Sequence, residues 1–287
     1  VASGRSAIIA APSGAFWSWF RSLPIFLSTA SRSAAGFTSA RLRFAPALLL
    51  DAALLDAALL DAALLDADIY GPSAPRLLGL SGKPETDGKK LWPKEAFGIK
   101  AMSIGLLIEE DQPMVWRGPM VQSALEQMLR QVEWGEIDVM IIDMPPGTGD
   151  AQLTLTQRAP LAGAVIVSTP QDLSLIDARK GLNMFRKVDV PILGIIENMS
   201  YFICPHCNER TDVFSHGGAR DEATKLDVPF LGEIPLDIRI RETSDGGHPI
   251  VVAEPESSFA QSYREIAQAI LDSVADNQRQ APKLVIQ

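Results

Sequence analysis

Three short segments set the pattern of this chain: Ile137–Asp143, Gly163–Thr169 and Pro191–Glu197 are almost continuously apolar and bounded by Gly, Pro or charged residues. Runs of that length without alternation predict strands buried on both faces. Between the second and third, residues 173–188 place apolar side chains at helical spacing, and residues 258–274 put Phe259, Tyr263, Ile266 and Ile270 on one helical face. Apolar strands alternating with amphipathic helices predict an α/β fold, a mostly parallel sheet with helices on both faces.

The pattern breaks down toward the N-terminus. Residues 1–50 contain no Asp, Glu or Lys, and their charges are Arg5, Arg21, Arg32, Arg41 and Arg43. Ser and Ala are frequent there, and Phe16, Trp17, Trp19 and Phe20 cluster. An acid-free, Arg- and Ser-rich leader has the composition of a mitochondrial transit peptide. A disordered leader, an export signal and a stretch that is not authentic coding sequence compete with that reading. Next comes a five-residue repeat of Leu-Leu-Asp-Ala-Ala from Leu49 to Ala67. On a helix each unit advances about 140°, so the Leu pairs form no single stripe. Leu and Ala still favour a helix, and a low-complexity expansion of the last unit is the preferred reading. The chain divides on this basis into a leader and repeat (residues 1–63), an α/β domain (64–277) and a tail (278–287).

Composition narrows the function. A formal charge of −9 over 287 residues excludes nucleic-acid binding through overall basicity. No apolar run reaches the roughly 18 residues of a membrane-spanning helix, so no membrane partner is expected. The only cysteines are Cys204 and Cys207, which excludes a multi-disulfide framework and suits the cytoplasm, with the mitochondrial matrix as the alternative compartment.

Three constellations carry chemistry. Asp143 ends an apolar run and is followed by Met-Pro-Pro-Gly-Thr-Gly-Asp150, which places a carboxylate at the sheet edge where such folds bind ligands. An Asp in that place holds Mg²⁺ in nucleotide hydrolases, and Gly147 and Gly149 let backbone approach a phosphate; a Pro-Gly turn with a capping Asp is the bland alternative. Asp66 and Asp68 follow Leu64-Leu65 and precede Gly71-Pro72. They suit a metal- or water-orienting role, or simply the solvated end of a strand. Cys204-Pro-His-Cys207 offers two thiolates where a closed metal site needs four ligands. A symmetric dimer supplies four and suits a [4Fe–4S] cluster; zinc bound with His206 or His216, and a redox dithiol, are the competitors.

Taken in order, Asp66–Ser73, Trp116–Pro119, Asp143–Asp150, Ser168–Asp172, Glu197–Ser200, Cys204–Cys207, Gly232–Leu236 and Ile240–Ser244 closely resemble the Mrp family of iron–sulfur cluster carrier ATPases, within the MinD/ParA-like P-loop group. The resemblance runs over about residues 64–274. It implies a P-loop NTPase-like fold, with Cys204 and Cys207 as the cluster-bridging pair of a homodimer. It implies Asp66 and Asp68 in the first switch, Asp143 as the Walker B carboxylate, and Gly147 and Gly149 in the second switch. Asn198 matches the residue that reads adenine, with the loop at Pro235 closing over the ring. ATP and Mg²⁺ binding, a [4Fe–4S] cargo and apo iron–sulfur proteins as recipients are implied with them.

One departure stands out. Family members open on a strand and a Gly- and Lys-rich phosphate loop, beginning like Val1-Ala2-Ser3-Gly4, but here Arg5-Ser6-Ala7 follows and no G-x-x-x-x-G-K-[ST] occurs anywhere. That loop supplies the backbone cradle, the phosphate lysine and the Mg²⁺-binding hydroxyl. The expectation is a cluster carrier with a degraded N-terminal strand and helix unit; the alternative is a metal-binding scaffold without nucleotide turnover. A MinD-like partitioning ATPase is disfavoured by the Cys pair and by the lack of a basic amphipathic C-terminal helix.

Overall fold

The computed structural model describes residues 5–6, 8–12, 29–30, 61–69, 72–108, 118–145, 150–159 and 161–280. The strands are β1 (Arg5–Ser6), β2 (Ile8–Pro12), β3 (Thr29–Ala30), β4 (Ala62–Asp66), β5 (Lys94–Ala96), β6 (Ile99–Ser103), β7 (Val139–Asp143), β8 (Gly163–Ser168), β9 (Ile192–Glu197), β10 (Phe202–Ile203), β11 (Arg210–Thr211) and β12 (Phe230–Glu233). The helices are α1 (Ala74–Leu77), α2 (Gly118–Arg130), α3 (Asp150–Arg158), α4 (Asp172–Lys187), α5 (Gly218–Leu226), α6 (Ile238–Asp245), α7 (Ile250–Ala253) and α8 (Ser258–Gln280).

The main sheet runs β12-β9-β8-β2-β7-β4-β6-β5. Its strands are parallel from β12 to β6, and β5 joins the edge antiparallel. Strands β4, β7 and β8 are buried at every position, so both faces of the sheet are covered, as continuous apolar runs require. Helix α4 shows how the cover is made. It turns Leu175, Ala178, Leu182 and Phe185 inward, with Asp172 in its first turn and Arg186 and Lys187 in its last, matching the helix dipole. The buried face of α8 includes Phe259, Tyr263, Ile266 and Ile270, as the periodicity predicts, and this helix lies against β9 and β12.

Four N-terminal strands belong to the sheet: β3 pairs antiparallel with β7 and with β1, while β2 and β4 enter the parallel array. The leader contributes β2, which lies between β7 and β8 and is parallel to both. The last repeat unit is not helical. Ala62–Asp66 is a strand between β6 and β7, where Leu64 and Leu65 are wholly buried. Burial against two neighbouring strands outweighs the helix propensity of Leu and Ala, which is worth only tenths of a kcal/mol per residue, roughly. Repeat residues 49–60 lie outside the described residues.

Candidate functional site

The parallel strands that follow the leader end alike. β4, β6, β7, β8, β9 and β12 terminate on Asp66, Ser103, Asp143, Ser168, Glu197 and Glu233. In β4, β7, β8 and β9 apolar residues hold the strand in the core, and the first polar side chain marks the carboxyl edge, where open α/β sheets bind ligands. Of these six, Asp66, Ser103, Asp143, Ser168 and Glu197 are buried.

Asp66 and Asp143 are in-register neighbours on β4 and β7. Asp66 is not the solvated strand end considered from the sequence; it has no exposed surface. Its Oδ1 accepts the Asp68 N–H at 3.1 Å, and its Oδ2 accepts the Ser103 hydroxyl at 2.9 Å and the Ala74 N–H at 3.3 Å. Burial pushes its carboxyl up to about 7, against the lowering bond from Ser103 and with the Asp68 charge adding to the rise. Asp68 is buried beside it. Sequence reasoning missed Ser103, because Lys100 interrupts Ile99–Ser103 and leaves no continuous apolar run to mark its end. Gly147 and Gly149 lie outside the described residues.

At the other end of the same edge, Asn198 follows β9 and Pro235 follows β12. The Asn198 N–H donates to the Ser168 carbonyl at 2.7 Å, and its side-chain oxygen accepts the Met199 N–H at 3.0 Å. Pro235 is buried, while the Ser200 N–H bonds the Ile234 carbonyl and the Leu236 N–H bonds the Tyr201 carbonyl. The two loops thus run together beyond the sheet.

The cysteines sit on a small hairpin that grows from this junction. β10 and β11 pair antiparallel, Phe202 with Thr211 and Ile203 with Arg210. The Cys204 N–H donates to the Glu209 carbonyl, and the Asn208 N–H returns to the Cys204 carbonyl at 2.8 Å, with Asn208 at φ +58° closing the turn. Backbone N–H groups of Cys207 and then His206 face the Cys204 sulfur and, with the Cys207 thiol, hold it below the ordinary thiol range. Cys204 is half-buried, Cys207 is exposed, and both are free thiols. His216 does not join them: its Nε2 lies 3.0 Å from Glu233 Oε2. Among the described residues, no set of three potential ligand atoms within 4.8 Å of one another includes either cysteine. No described helix is long and apolar enough to cross a membrane.

Known proteins resemble this chain in sequence and in fold. A family model described as ParA, NUBPL iron-transfer P-loop NTPase, matches residues 47–271. The iron-sulfur cluster transfer protein NUBPL of Dictyostelium discoideum is 54% identical over 207 residues, which cover 71% of this chain and 64% of that protein. An Arabidopsis thaliana protein, the mitochondrial iron-sulfur protein required for NADH dehydrogenase, is 51% identical over 210 residues, covering 73% of this chain and 67% of its own. Among solved structures, the nucleotide-binding protein of Archaeoglobus fulgidus in complex with ADP superposes with a TM-score of 0.63 at 38% identity, covering 76% of this chain and 84% of that one. The chain therefore spans 64% and 67% of the length of these two curated relatives. With the sheet order, the paired strand-end carboxylates and the thiol hairpin in hand, the match over residues 47–271 makes this chain a member of the ParA-type family of NUBPL iron-transfer P-loop NTPases.

Proposed function

We propose that this chain carries a [4Fe–4S] cluster between the Cys204 and Cys207 pairs of two copies and passes it to apo iron–sulfur proteins. The observation that carries this reading is the hairpin itself. It presents two thiols, one of them held toward thiolate, with no third protein ligand among the described residues. A second copy completes four-thiolate coordination by symmetry. Relatives named as cluster transfer proteins support the cargo.

Transfer is ligand exchange. Each iron–sulfur bond to Cys204 or Cys207 is replaced by a bond to a recipient thiolate, and the proton that the recipient thiol gives up is balanced at the departing carrier thiolate. No electron changes hands. Exposure of Cys207 lets a recipient thiol approach, and the backbone donors around Cys204 make it the better leaving group. Two free thiols and such a cargo suit a reducing compartment, the cytoplasm or, alternatively, the mitochondrial matrix.

The metal side of a nucleotide site is also supported. Asp66 and Asp143 are hard oxygen donors side by side at the carboxyl edge, a donor set that suits Mg²⁺. Bound there, the ion would neutralise charge on ATP phosphates; Asp68 is buried beside Asp66, and Asn198 and the Pro235 loop are the groups that the resemblance assigns to the base. The phosphate loop has no counterpart in the sequence, which favours the second reading, a cluster-binding scaffold without nucleotide turnover.

Anaerobic reconstitution with iron and sulfide tests the proposal. The expected product is a dimer with one cluster per two chains, which bleaches as an added apo-ferredoxin gains its own spectrum. Cys204→Ala or Cys207→Ala should remove both cluster and cluster-dependent dimer. A variant that keeps full cluster content as a monomer overturns it.

A further inference from the structure

We propose that Glu197, His216 and Glu233 form a second metal site, for a divalent ion of the Zn²⁺/Co²⁺ class, distinct from the thiol hairpin. The carboxyl edge of the sheet carries two carboxylate pairs, each made of register partners on adjacent parallel strands. Asp66 with Asp143 is one; Glu197 with Glu233 is the other. In-register side chains of parallel neighbours leave the same face of the sheet about 4.8 Å apart. Two carboxylates at that spacing repel unless positive charge or protons lie between them.

In the second pair a histidine stands beside the carboxylates. One ligand atom each from Glu197, His216 and Glu233 lies within 4.8 Å of the others, the spread that a single small cation can span. Imidazole nitrogen with two carboxylate oxygens is a donor set of zinc-class ions, whereas thiolates are absent from the group.

The surrounding bonds fix one ligand firmly and leave the others adjustable. Glu197 is wholly buried; its Oε1 accepts from the Ser200 hydroxyl at 2.6 Å and the Gly217 N–H at 2.9 Å, and its Oε2 from the Ala219 N–H at 2.8 Å. An ionised carboxylate offers about four acceptor positions, so one remains. These donors hold the carboxylate as outer-shell groups hold a metal ligand. Glu233 Oε2 receives His216 Nε2 at 3.0 Å, stands 3.5 Å from the Ser200 hydroxyl and 3.7 Å from the Arg220 guanidinium. Its Oε1 has no hydrogen bond among the described residues. A dication therefore replaces one His–Glu hydrogen bond and takes Nε2 and the Glu233 carboxylate as ligands. Among the described residues, Arg220 is the only Lys or Arg that pairs with Glu233; it is more than half exposed and already stacks over the Phe230 ring at 4.2 Å, so it can withdraw. The side chains of His216 and Glu233 are 32% and 27% exposed, which provides the entry path.

The test uses the full chain carrying Cys204→Ala and Cys207→Ala, so that failure of the cluster proposal and failure of this one are separate results. Co²⁺ alone is titrated in, with dialysis for stoichiometry and visible absorption for the ligand field. One Co²⁺ per chain with weak d–d bands and no sulfur charge-transfer band is expected. His216→Ala and the isosteric Glu233→Gln, each added to that background, should weaken Co²⁺ binding at least tenfold while Asp143→Ala leaves it in place. If His216→Ala does not fold by circular dichroism, Glu233→Gln decides. Absence of bound Co²⁺, binding that survives Glu233→Gln unchanged, or loss only with Asp143→Ala overturns the site, leaving the three residues as a hydrogen-bonded cap for α5.

Discussion

Asp66 and Asp143 are register partners at the ends of adjacent parallel strands, both wholly buried, and the chain beyond Asp66 is tied back by a 2.7 Å bond from the Ala67 N–H to the Asp143 carbonyl. The sheet thus brings together two carboxyl groups that are 77 residues apart in the chain. Asp66, raised to about 7, keeps its proton far above the pH at which an ordinary carboxyl loses it.

That proton makes stability depend on pH. Below the unfolded value of 3.8, Asp66 is protonated in both states and its contribution is fully present. As pH rises toward about 7 the unfolded chain releases the proton while the folded chain keeps it, so stability falls. The total loss is about 4 kcal/mol, complete above the folded value. Urea unfolding of the parent and of Asp66→Asn across this window should show the difference between them growing with pH, with the variant favoured on the alkaline side. A pH-independent difference would contradict the assignment.

Ser103→Ala removes the side-chain donor that lowers the Asp66 carboxyl. The upper end of that window should then move to higher pH. Carboxyl infrared or NMR titration of Asp66 in the two proteins reads the shift directly.

Nucleotide should bind feebly and turn over negligibly in the parent chain. The missing loop forgoes several charge-assisted hydrogen bonds worth about 1.5–3 kcal/mol each. The structure also moves the point at which that loop can be restored. Val1–Gly4 resembles the family's opening, but the central strand between β7 and β8 ends at Pro12. A Gly-Lys-Gly-Gly-Val-Gly-Lys-Ser loop grafted after Pro12 should therefore restore Mg²⁺-dependent hydrolysis, one grafted after Gly4 should not, and Asp143→Ala should abolish what is restored. Robust turnover by the ungrafted chain, sensitive to Asp143→Ala, would show that another segment performs the loop's task.

Gly194 interrupts β9 at φ +152°, beside a register shift in its pairing with β8. A Cβ there would stand 2.6 Å from Leu231 Cγ and 2.7 Å from the Pro229 carbonyl oxygen. Strain and overpacking each cost about 1–3 kcal/mol. Gly194→Ala should destabilise the protein by about 3 kcal/mol and lower Tm by roughly 10 °C. Calorimetry checks it; an unchanged Tm would mean that the bulge relaxes freely.

Much of the fold was legible in the chain because burial on both faces leaves a local mark. Val139–Asp143, Gly163–Ser168 and Ile192–Glu197 read as strands since nothing polar can stand inside them, and α4 and α8 read as helices from a single apolar face. The same logic located Asp143, the first polar residue after an apolar run. Cys204 and Cys207 were legible because a paired thiol is chemically rare. Other features were decided only by tertiary structure. Ala62–Asp66 has helical composition and is a strand because β6 and β7 bury its leucines from both sides. Ile8–Pro12 carries no family motif, yet it takes the central place in the sheet by pairing with strands more than 120 residues away in sequence. Nothing local links Glu197 to Glu233 or sends His216 to them instead of to the cysteines. Register between distant strands sets that meeting, and register is a property of the assembled sheet, where one-residue slips expose the core.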